Sequence, residues 1–155
     1  MICLNHSVLD FMEPRIEGRR VLELGGGFSS LWFAERCDEL VTIDTDRGWV
    51  DLIASDLEPF DRAFVFHADP ITAVQVKGTF DLVLVDCVKN QRHNAALFGW
   101  EVLKRGGYMV FDDAQRSEHR ATCNHFGEST YTLTWDASRD IPGAKDRVAL
   151  AWRKP

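Results

Sequence analysis

Three consecutive glycines, Gly25-Gly26-Gly27, stand between two segments of different pattern. They follow a short apolar run and precede a helical pattern that begins at Ser29. A glycine loop lets the backbone approach a ligand closely, and the helix N-terminus offers free N–H donors. Asp44 ends the next apolar run, 19 residues after Gly25, where a carboxylate can accept two hydrogen bonds from a ribose diol. Glycines alone would also fit a tight turn, but their pairing with Asp44 predicts a nucleoside site.

Three further carboxylates, Asp86, Asp112 and Asp113, end two later apolar runs. If those runs are neighbouring strands, the three side chains gather over one cleft. Hard oxygen ligands of this kind suit Mg²⁺ with water in the remaining positions, and the metal would lower the pKa of a bound hydroxyl. Without a metal the packed carboxylates repel one another, so at least one should have a raised pKa. Asp112 and Asp113 could instead cap the next helix.

The chain supplies alternating strand and helix patterns to position these residues. Five short runs are largely apolar on both faces, as buried parallel strands are. They cover residues 21–24, 40–43, 63–66, 82–85 and 108–111. Helical patterns cover residues 29–36, 47–57 and 94–105, with a weaker one at 114–126. In the third helix Leu97, Trp100 and Leu103 form the expected apolar stripe, and Gly106-Gly107 is a stop signal.

This alternation predicts the α/β class, with a doubly wound, mostly parallel sheet. Residues 130–135 and 147–152 have the pattern of two final strands that pair as a C-terminal antiparallel hairpin, with a turn around Pro142-Gly143. Ligands of such sheets bind beyond the carboxyl ends of the strands, at the switch point. We therefore expect the first strand beside the fourth, in a single domain over residues 1–155.

The composition narrows the function classes. Hydrophobic residues make up 45% and charged residues 27% of the chain, as in ordinary globular proteins. A formal net charge of −6 disfavours nucleic acid and anionic membranes as partners. The cysteines are scattered without zinc spacing and are expected to be reduced. The N-terminus lacks the apolar run of a signal peptide or membrane span, so we expect a cytoplasmic protein.

Over nearly its whole length the sequence resembles the class I S-adenosylmethionine-dependent methyltransferases, whose sheet is Rossmann-like. The resemblance rests on VLELGGGFSS at 21–30, VTIDTD at 41–46, FHADP at 66–70, FDLVLVD at 80–86 and RGGYMVFDDA at 105–114. It implies S-adenosylmethionine as cofactor, with Asp44 on the ribose and Asp69 facing the adenine amino group. The cofactor-binding residues that it implies are Glu23, Gly25, Gly26, Gly27, Phe28, Ser29, Asp44, Thr45, Asp69 and Asp86. NAD is disfavoured because the dinucleotide fingerprint needs a glycine where this chain has Ser30.

The segment VDCVKNQRH at 85–93 is similar to the fourth-strand end of the metal-dependent O-methyltransferases of the catechol and sugar types. The resemblance implies Asp86, Asp112 and Asp113 as Mg²⁺ ligands and Lys89 as a candidate base. Such a lysine works only if burial or the metal's charge depresses its pKa. The catechol group has Asp-Asn where this chain has Asp112-Asp113, so the chain is closer to the sugar group.

Only about twenty residues precede the first strand, where those families usually carry more helix over the substrate. The acceptor pocket is therefore minimal or is completed by another subunit, which leaves a homodimer open.

Several assignments stay open at this point. Asp86 could contact only the methionine end of the cofactor, and Lys89 could be a solvated surface lysine. His93 is either an alternative base or a structural histidine. Arg92 and Arg116 either meet an anionic acceptor or lie solvated at the surface.

The leading hypothesis is O-methylation of a small hydroxylated molecule or a sugar. The alternatives are a non-catalytic S-adenosylmethionine-binding or partner subunit and, less favoured, an NAD-linked oxidoreductase.

Overall fold

A computed structural model describes Leu4, residues 6–135 and residues 146–155. The strands are β1 (Arg20–Leu24), β2 (Glu39–Asp44), β3 (Ala63–His67), β4 (Phe80–Val85), β5 (Leu103–Phe111), β6 (Tyr131–Trp135) and β7 (Arg147–Arg153). The helices are α1 (His6–Ile16), α2 (Phe28–Ala34), α3 (Arg47–Leu57), α4 (Arg92–Val102) and α5 (Arg120–Phe126), with short 3-10 turns at Ile71–Ala73 and Ser117–His119.

All seven strands form one sheet in the order β3-β2-β1-β4-β5-β7-β6. The first five pair in parallel, and β1 lies beside β4, as the sequence predicted, with β2 on its other side. β7 pairs antiparallel with both β5 and β6, which confirms the C-terminal antiparallel pair. The turn predicted around Pro142-Gly143 lies outside the described residues.

The burial of the strands follows their place in the sheet. The central strands β1 and β4 are buried over nearly their whole length, as their continuous apolar sequences predict. β3 was also expected to be buried, and this was wrong. It is an edge strand, and Phe64 and Phe66 are exposed on it by 45% and 42%. An apolar run does not reveal from sequence alone whether a second neighbouring strand will cover it.

The helix before β5 differs from its prediction in both position and buried face. α4 spans Arg92–Val102, and Leu103 already belongs to β5. Its buried residues are Arg92, Ala95, Ala96 and Gly99. The stripe of Leu97, Trp100 and Leu103 was therefore the wrong one for this helix. Small side chains let α4 lie close to the sheet, and a Cβ at Gly99 would stand 2.7 Å from Val83 Cγ1.

The helix α1 was not predicted from the sequence. Its Val8, Met12 and Ile16 are fully buried at a spacing of four residues, the pattern that would have indicated an amphipathic helix. The helix packs on the face of the sheet that carries Leu82 and Val110, and it reaches the edge strand β6, where Ser7 Oγ donates to the carbonyl of Thr134 at 2.7 Å. Among the described residues, no helix has the length and apolar character needed to cross a membrane.

The close approach of α4 to the sheet is testable by substitution. Gly99→Val should lower the free energy of unfolding by about 2 kcal/mol or more, because the added methyl groups collide with Val83 and over-packed cores lose about 1–3 kcal/mol. The matched control is Glu101→Val on the exposed side of the same helix, which should change it by less than about 0.5 kcal/mol. Urea unfolding measures both, and equal effects of the two substitutions would contradict the packing described.

Candidate active site

The glycine loop leaves β1 in a turn that excludes any side chain at its first residue. Gly25 has a φ of +99°, and its amide donates to the carbonyl of Ile43 at 2.9 Å. A Cβ there would lie 2.5 Å from the carbonyl carbon of Asp86 and from the backbone of Cys87. Positive φ and close backbone approach both require glycine. The turn therefore brings the ends of β1, β2 and β4 together.

Glu23 anchors the loop from beneath. It is fully buried, and its carboxylate accepts hydrogen bonds from the hydroxyls of Ser29, Ser30 and Thr42. Ser30 Oγ also accepts from the amide of Gly27 at 3.0 Å. The serine that departs from the dinucleotide fingerprint thus joins the glycine turn to the strand. Thr42, on β2, was not singled out from the sequence.

Burial raises the pKa of Glu23 to about 7, although its hydrogen bonds with the three hydroxyls oppose the shift. Both oxygens are occupied by protein donors inside the core. In this structure the residue holds the glycine loop in place through the three hydroxyl groups that it binds.

Asp44 stands at the end of β2 against the same loop. Its Oδ2 accepts from the amide of Gly26 at 3.0 Å, and its Oδ1 accepts from the amide of Asp46 at 2.8 Å. Next to it, the carbonyl of Thr45 lies 3.2 Å from His67 Nε2. The structure therefore brings Asp44 and the glycines together, as the sequence spacing predicted.

Two aromatic rings flank the loop. Trp49 Nε1 donates to the carbonyl of Gly26 at 2.7 Å, and Phe28 meets Trp49 edge to face with ring centroids 6.0 Å apart. Phe28 is 51% exposed. The Cβ position of Gly27 has no neighbour nearer than the Trp49 ring, at 3.9 Å, which leaves that side of the loop open.

Asp69 lies after β3 on the same edge of the sheet. It is exposed, and its Oδ1 accepts from Gln91 Nε2 at 2.8 Å. Gln91 Oε1 in turn accepts from the amide of Ile71 at 2.6 Å. Gln91 was not predicted, and it ties the loop after β3 to the start of α4.

The structure also gathers the three acids predicted as metal ligands. Asp86, Asp112 and Asp113 each offer an oxygen within 4.8 Å of the others. The amide of Asp112 donates to the carbonyl of Val85 at 3.1 Å, which holds the ends of β4 and β5 side by side. Asp113 has a φ of +57°, a left-handed conformation that aspartate tolerates better than most residues. The acids do not cap the next helix, since their side chains bind arginines instead.

Three arginines pair with these acids. Arg92 contacts Asp86, Arg147 contacts Asp112 at 2.7 Å, and Arg116 contacts Asp113 at 2.6 Å. Of the two arginines considered from the sequence, Arg92 is buried, so the alternative that it lies solvated at the surface is wrong, while Arg116 is half exposed. Arg147 was missed, because only the return of β7 beside β5 brings it here.

The carboxyl groups have raised pKa values despite these partners. Burial, followed by the negative charge of Asp112, raises the pKa of Asp86 to about 7, and Arg92 opposes the shift. Burial also raises the pKa of Asp112, against the pull of Arg147. The expected rise from packed carboxylates is therefore present. Asp112 Oδ1 is buried with no hydrogen-bond partner among the described residues.

The other two candidate bases lie in different surroundings. Lys89 is exposed and borders an open cleft with Asp86, Asn90 and Arg116. The burial that a lysine base would require is absent there. His93 is exposed on α4, with Nδ1 3.1 Å from Thr122 Oγ1. Its ring also meets that of His125 on α5, so its contacts are those of a residue at the α4–α5 packing surface.

Residues 22–114 match the family described as a methyltransferase domain. The matched segment contains the glycine loop, Asp44 and all three acids, and it spans more than half of the chain. The chain belongs to the class I S-adenosylmethionine-dependent methyltransferases. No curated protein matches the methyltransferase in sequence.

Solved structures share the fold of this methyltransferase. The N-methyltransferase NodS from Bradyrhizobium japonicum WM9 has a TM-score of 0.75 at 18% identity, covering 96% of this chain and 92% of that one. The O-methyltransferase TomG from Streptomyces achromogenes, in complex with SAM, has a TM-score of 0.71 at 22% identity, covering 96% and 79%. Cofactor-bound Rv0187 from MTB has a TM-score of 0.78 at 23% identity, covering 99% and 83%. At such identities the likeness establishes the fold alone.

The family assignment decides between the functional alternatives left open by the sequence. The protein is an enzyme that carries out S-adenosylmethionine-dependent methyl transfer. The assignment supports neither an NAD-linked oxidoreductase nor a non-catalytic binding subunit.

The buried carboxyl of Glu23 predicts a specific dependence of stability on pH. Its pKa of about 7 in the folded state exceeds the 4.5 of an unburied glutamate, so the folded state binds the proton more tightly. Its contribution to the free energy of unfolding is therefore greatest at pH 4.5 and below, and falls by about 3 kcal/mol as the pH rises to 7.

Glu23→Gln removes this titration, while Asp86 and Asp112 titrate in both proteins. The free energy of unfolding of the wild type minus that of the variant should therefore fall as the pH rises across that interval. Urea unfolding at a series of pH values measures it, and parallel pH curves for the two proteins would contradict the assignment.

Proposed function

We propose that this methyltransferase transfers the methyl group of S-adenosylmethionine to a hydroxyl oxygen of a small molecule or a sugar. The observation that supports the proposal best is the place of Asp86. Its backbone touches the glycine loop, and its side chain, a quarter exposed, opens toward the cleft bordered by Lys89 and Asn90. A carboxylate there can reach both the cofactor side and the acceptor side of one site.

The residues around the loop fit the donor that the family uses. S-adenosylmethionine supplies a methyl group on a positively charged sulfonium, together with most of the intrinsic reactivity. Each oxygen of the Asp44 carboxylate binds one amide and can accept a second hydrogen bond, so the residue can also bind the ribose hydroxyls. The open side of Gly27 leaves room beside Trp49. The exposed Phe28 and Asp69 would border the adenosine, as the sequence resemblance implies.

Asp86 is the residue that we propose as the proton acceptor. Arg92 holds its Oδ1, whereas its Oδ2 has no hydrogen-bond partner among the described residues. A carboxylate fixed through one oxygen and open at the other can take the proton of a hydroxyl. That proton leaves as the hydroxyl oxygen bonds to the methyl carbon and the S–C bond electrons return to sulfur. Lys89 then serves to attract or orient the acceptor.

The contacts of the three acids give two opposite indications about the Mg²⁺ ion expected from the sequence. The closeness of the three acids and the unpartnered Asp112 Oδ1 favour a cation. The three arginines already paired with these acids oppose one. We therefore assign the proton transfer to Asp86 and not to a metal-bound group.

The remaining sequence expectations concern partners and location, and we retain them as proposals. A net charge of −6 supports a small-molecule acceptor over nucleic acid or a membrane. A cytoplasmic location agrees with the scattered cysteines, of which Cys37, Cys87 and Cys123 are free thiols. A homodimer would supply further walls for a small acceptor pocket.

The cofactor assignment is testable by binding. Asp44→Asn should weaken S-adenosylhomocysteine binding by about tenfold to a hundredfold, since hydrogen bonds to a charged acceptor contribute about 1.5–3 kcal/mol each. The matched control, Asp51→Asn, removes an exposed carboxylate on α3 and should leave the affinity unchanged. Calorimetric titration with S-adenosylhomocysteine and NAD measures both, and undiminished binding by Asp44→Asn would show that the ribose is held elsewhere.

The acceptor assignment is testable with isotope-labelled S-adenosylmethionine and a panel of catechols, hydroxybenzoates, monosaccharides and matched amines. Methyl groups should appear on oxygen, and Asp86→Asn should lower kcat by about 10²–10⁴, the usual contribution of a general base. Lys89→Met should mainly raise the KM for the acceptor. Methylated nitrogen in the product, or full turnover by Asp86→Asn, would contradict the proposal.

A further inference from the structure

The three acids at the ends of β4 and β5 are matched by an equal number of guanidinium groups. Asp86, Asp112 and Asp113 together carry three formal negative charges. The arginines that pair with them are Arg92, Arg116 and Arg147. Their formal charges cancel those of the acids. The cluster therefore already contains the positive charge that a divalent cation would otherwise bring.

Arg92 is fixed most firmly. Its side chain is 8% exposed, and all three of its nitrogens are engaged. Nε donates to the carbonyl of Cys87 at 2.6 Å, Nη1 to the carbonyl of Asp112 at 2.7 Å, and Nη2 to the carboxylate of Asp86. These bonds join the chain just after β4 to the end of β5. The guanidinium cannot leave without stranding buried polar groups, which is costly.

Arg147 and Arg116 pair with the other two acids, Asp112 and Asp113. Arg147 bridges two acids, with Nη2 2.7 Å from Asp112 Oδ2 and Nε 3.2 Å from Asp113 Oδ1. Arg116 Nη2 lies 2.6 Å from Asp113 Oδ2. Each acid therefore has at least one oxygen bound to a guanidinium.

Ligand atoms for a cation nevertheless remain. Asp86 Oδ2 and Asp112 Oδ1 have no hydrogen-bond partner among the described residues. Mg²⁺ often binds through only one or two carboxylates, with water in its other positions. What opposes a cation here is charge, because it would have to lie within a few ångströms of three guanidiniums in a partly buried site.

We propose that the arginines take the place of the divalent cation, so that the acid cluster of this enzyme binds no metal and methyl transfer proceeds without one. Arg92 acts as a positioning residue that holds Asp86 toward the acceptor. The inference rests on the proposed site but not on O-methylation, since cation binding is measured without an acceptor.

The test is Mn²⁺ binding by the full chain, followed by electron paramagnetic resonance of the free ion. The wild type should bind no stoichiometric Mn²⁺ at millimolar concentration. Arg147→Gln removes one guanidinium while retaining both free oxygens, and it should bind one Mn²⁺ per chain at least about tenfold more tightly than wild type. Adding Asp112→Asn to that variant should abolish the site.

Two further variants serve as a second test of the arginines and as a control for the loss of charge. Arg116 is half exposed, so Arg116→Gln should retain the fold and also gain affinity if Arg147→Gln fails to fold. Arg19→Gln removes the same charge from an exposed position before β1, at the opposite end of the sheet, and should gain none.

Stoichiometric Mn²⁺ binding by the wild type that Asp112→Asn removes would overturn the proposal. So would folded Arg147→Gln and Arg116→Gln variants that bind no Mn²⁺, because the arginines would then not be what excludes the ion. Loss of turnover in EDTA that Mg²⁺ restores would contradict it independently, whichever atom of the acceptor is methylated.

Discussion

The pairing of β1 with β2 on one side and β4 on the other is the constraint on which the site depends. The amide of Gly25 donates to the carbonyl of Ile43, and the amide of Asp86 donates to the carbonyl of Leu24. These bonds continue the sheet ladder to the ends of the strands. Because parallel strands end at one edge, this ladder brings the glycine turn, Asp44 and Asp86 together.

The buried carboxyl groups are stabilised by different partners at the two ends of the site. Under the glycine loop, Glu23 is surrounded by hydroxyl donors in the core, and burial raises its pKa to about 7. Beyond β4 and β5, arginines supply a positive charge for each carboxylate. The first arrangement makes a rigid support for the loop. The second keeps Asp86 in position with one oxygen free, which is what a proton acceptor needs.

The adjacency of β1 and β4 and the position of the glycine loop were predictable from the alternation of strand and helix patterns. Apolar runs ending in glycine or aspartate indicate parallel strands and the residues at their carboxyl ends. The arginine partners were not predictable, because Arg147 comes from a strand that returns from elsewhere in the sheet. The buried face of α4 was misjudged for a related reason. The helix lies so close to the sheet that the small residues Ala95 and Gly99 are buried in place of its larger apolar residues. The distance between a helix and a sheet cannot be predicted from one sequence.

A crystal structure of the enzyme with S-adenosylhomocysteine tests the central claim most directly, since that claim concerns where the cofactor binds. We expect both ribose hydroxyls to bind the carboxylate of Asp44 and the backbone of Gly25 to Gly27 to line the ligand. We also expect the sulfur to lie on the side of the loop that faces Asp86. A ribose bound by any other residue, or a sulfur turned away from Asp86, would contradict the account.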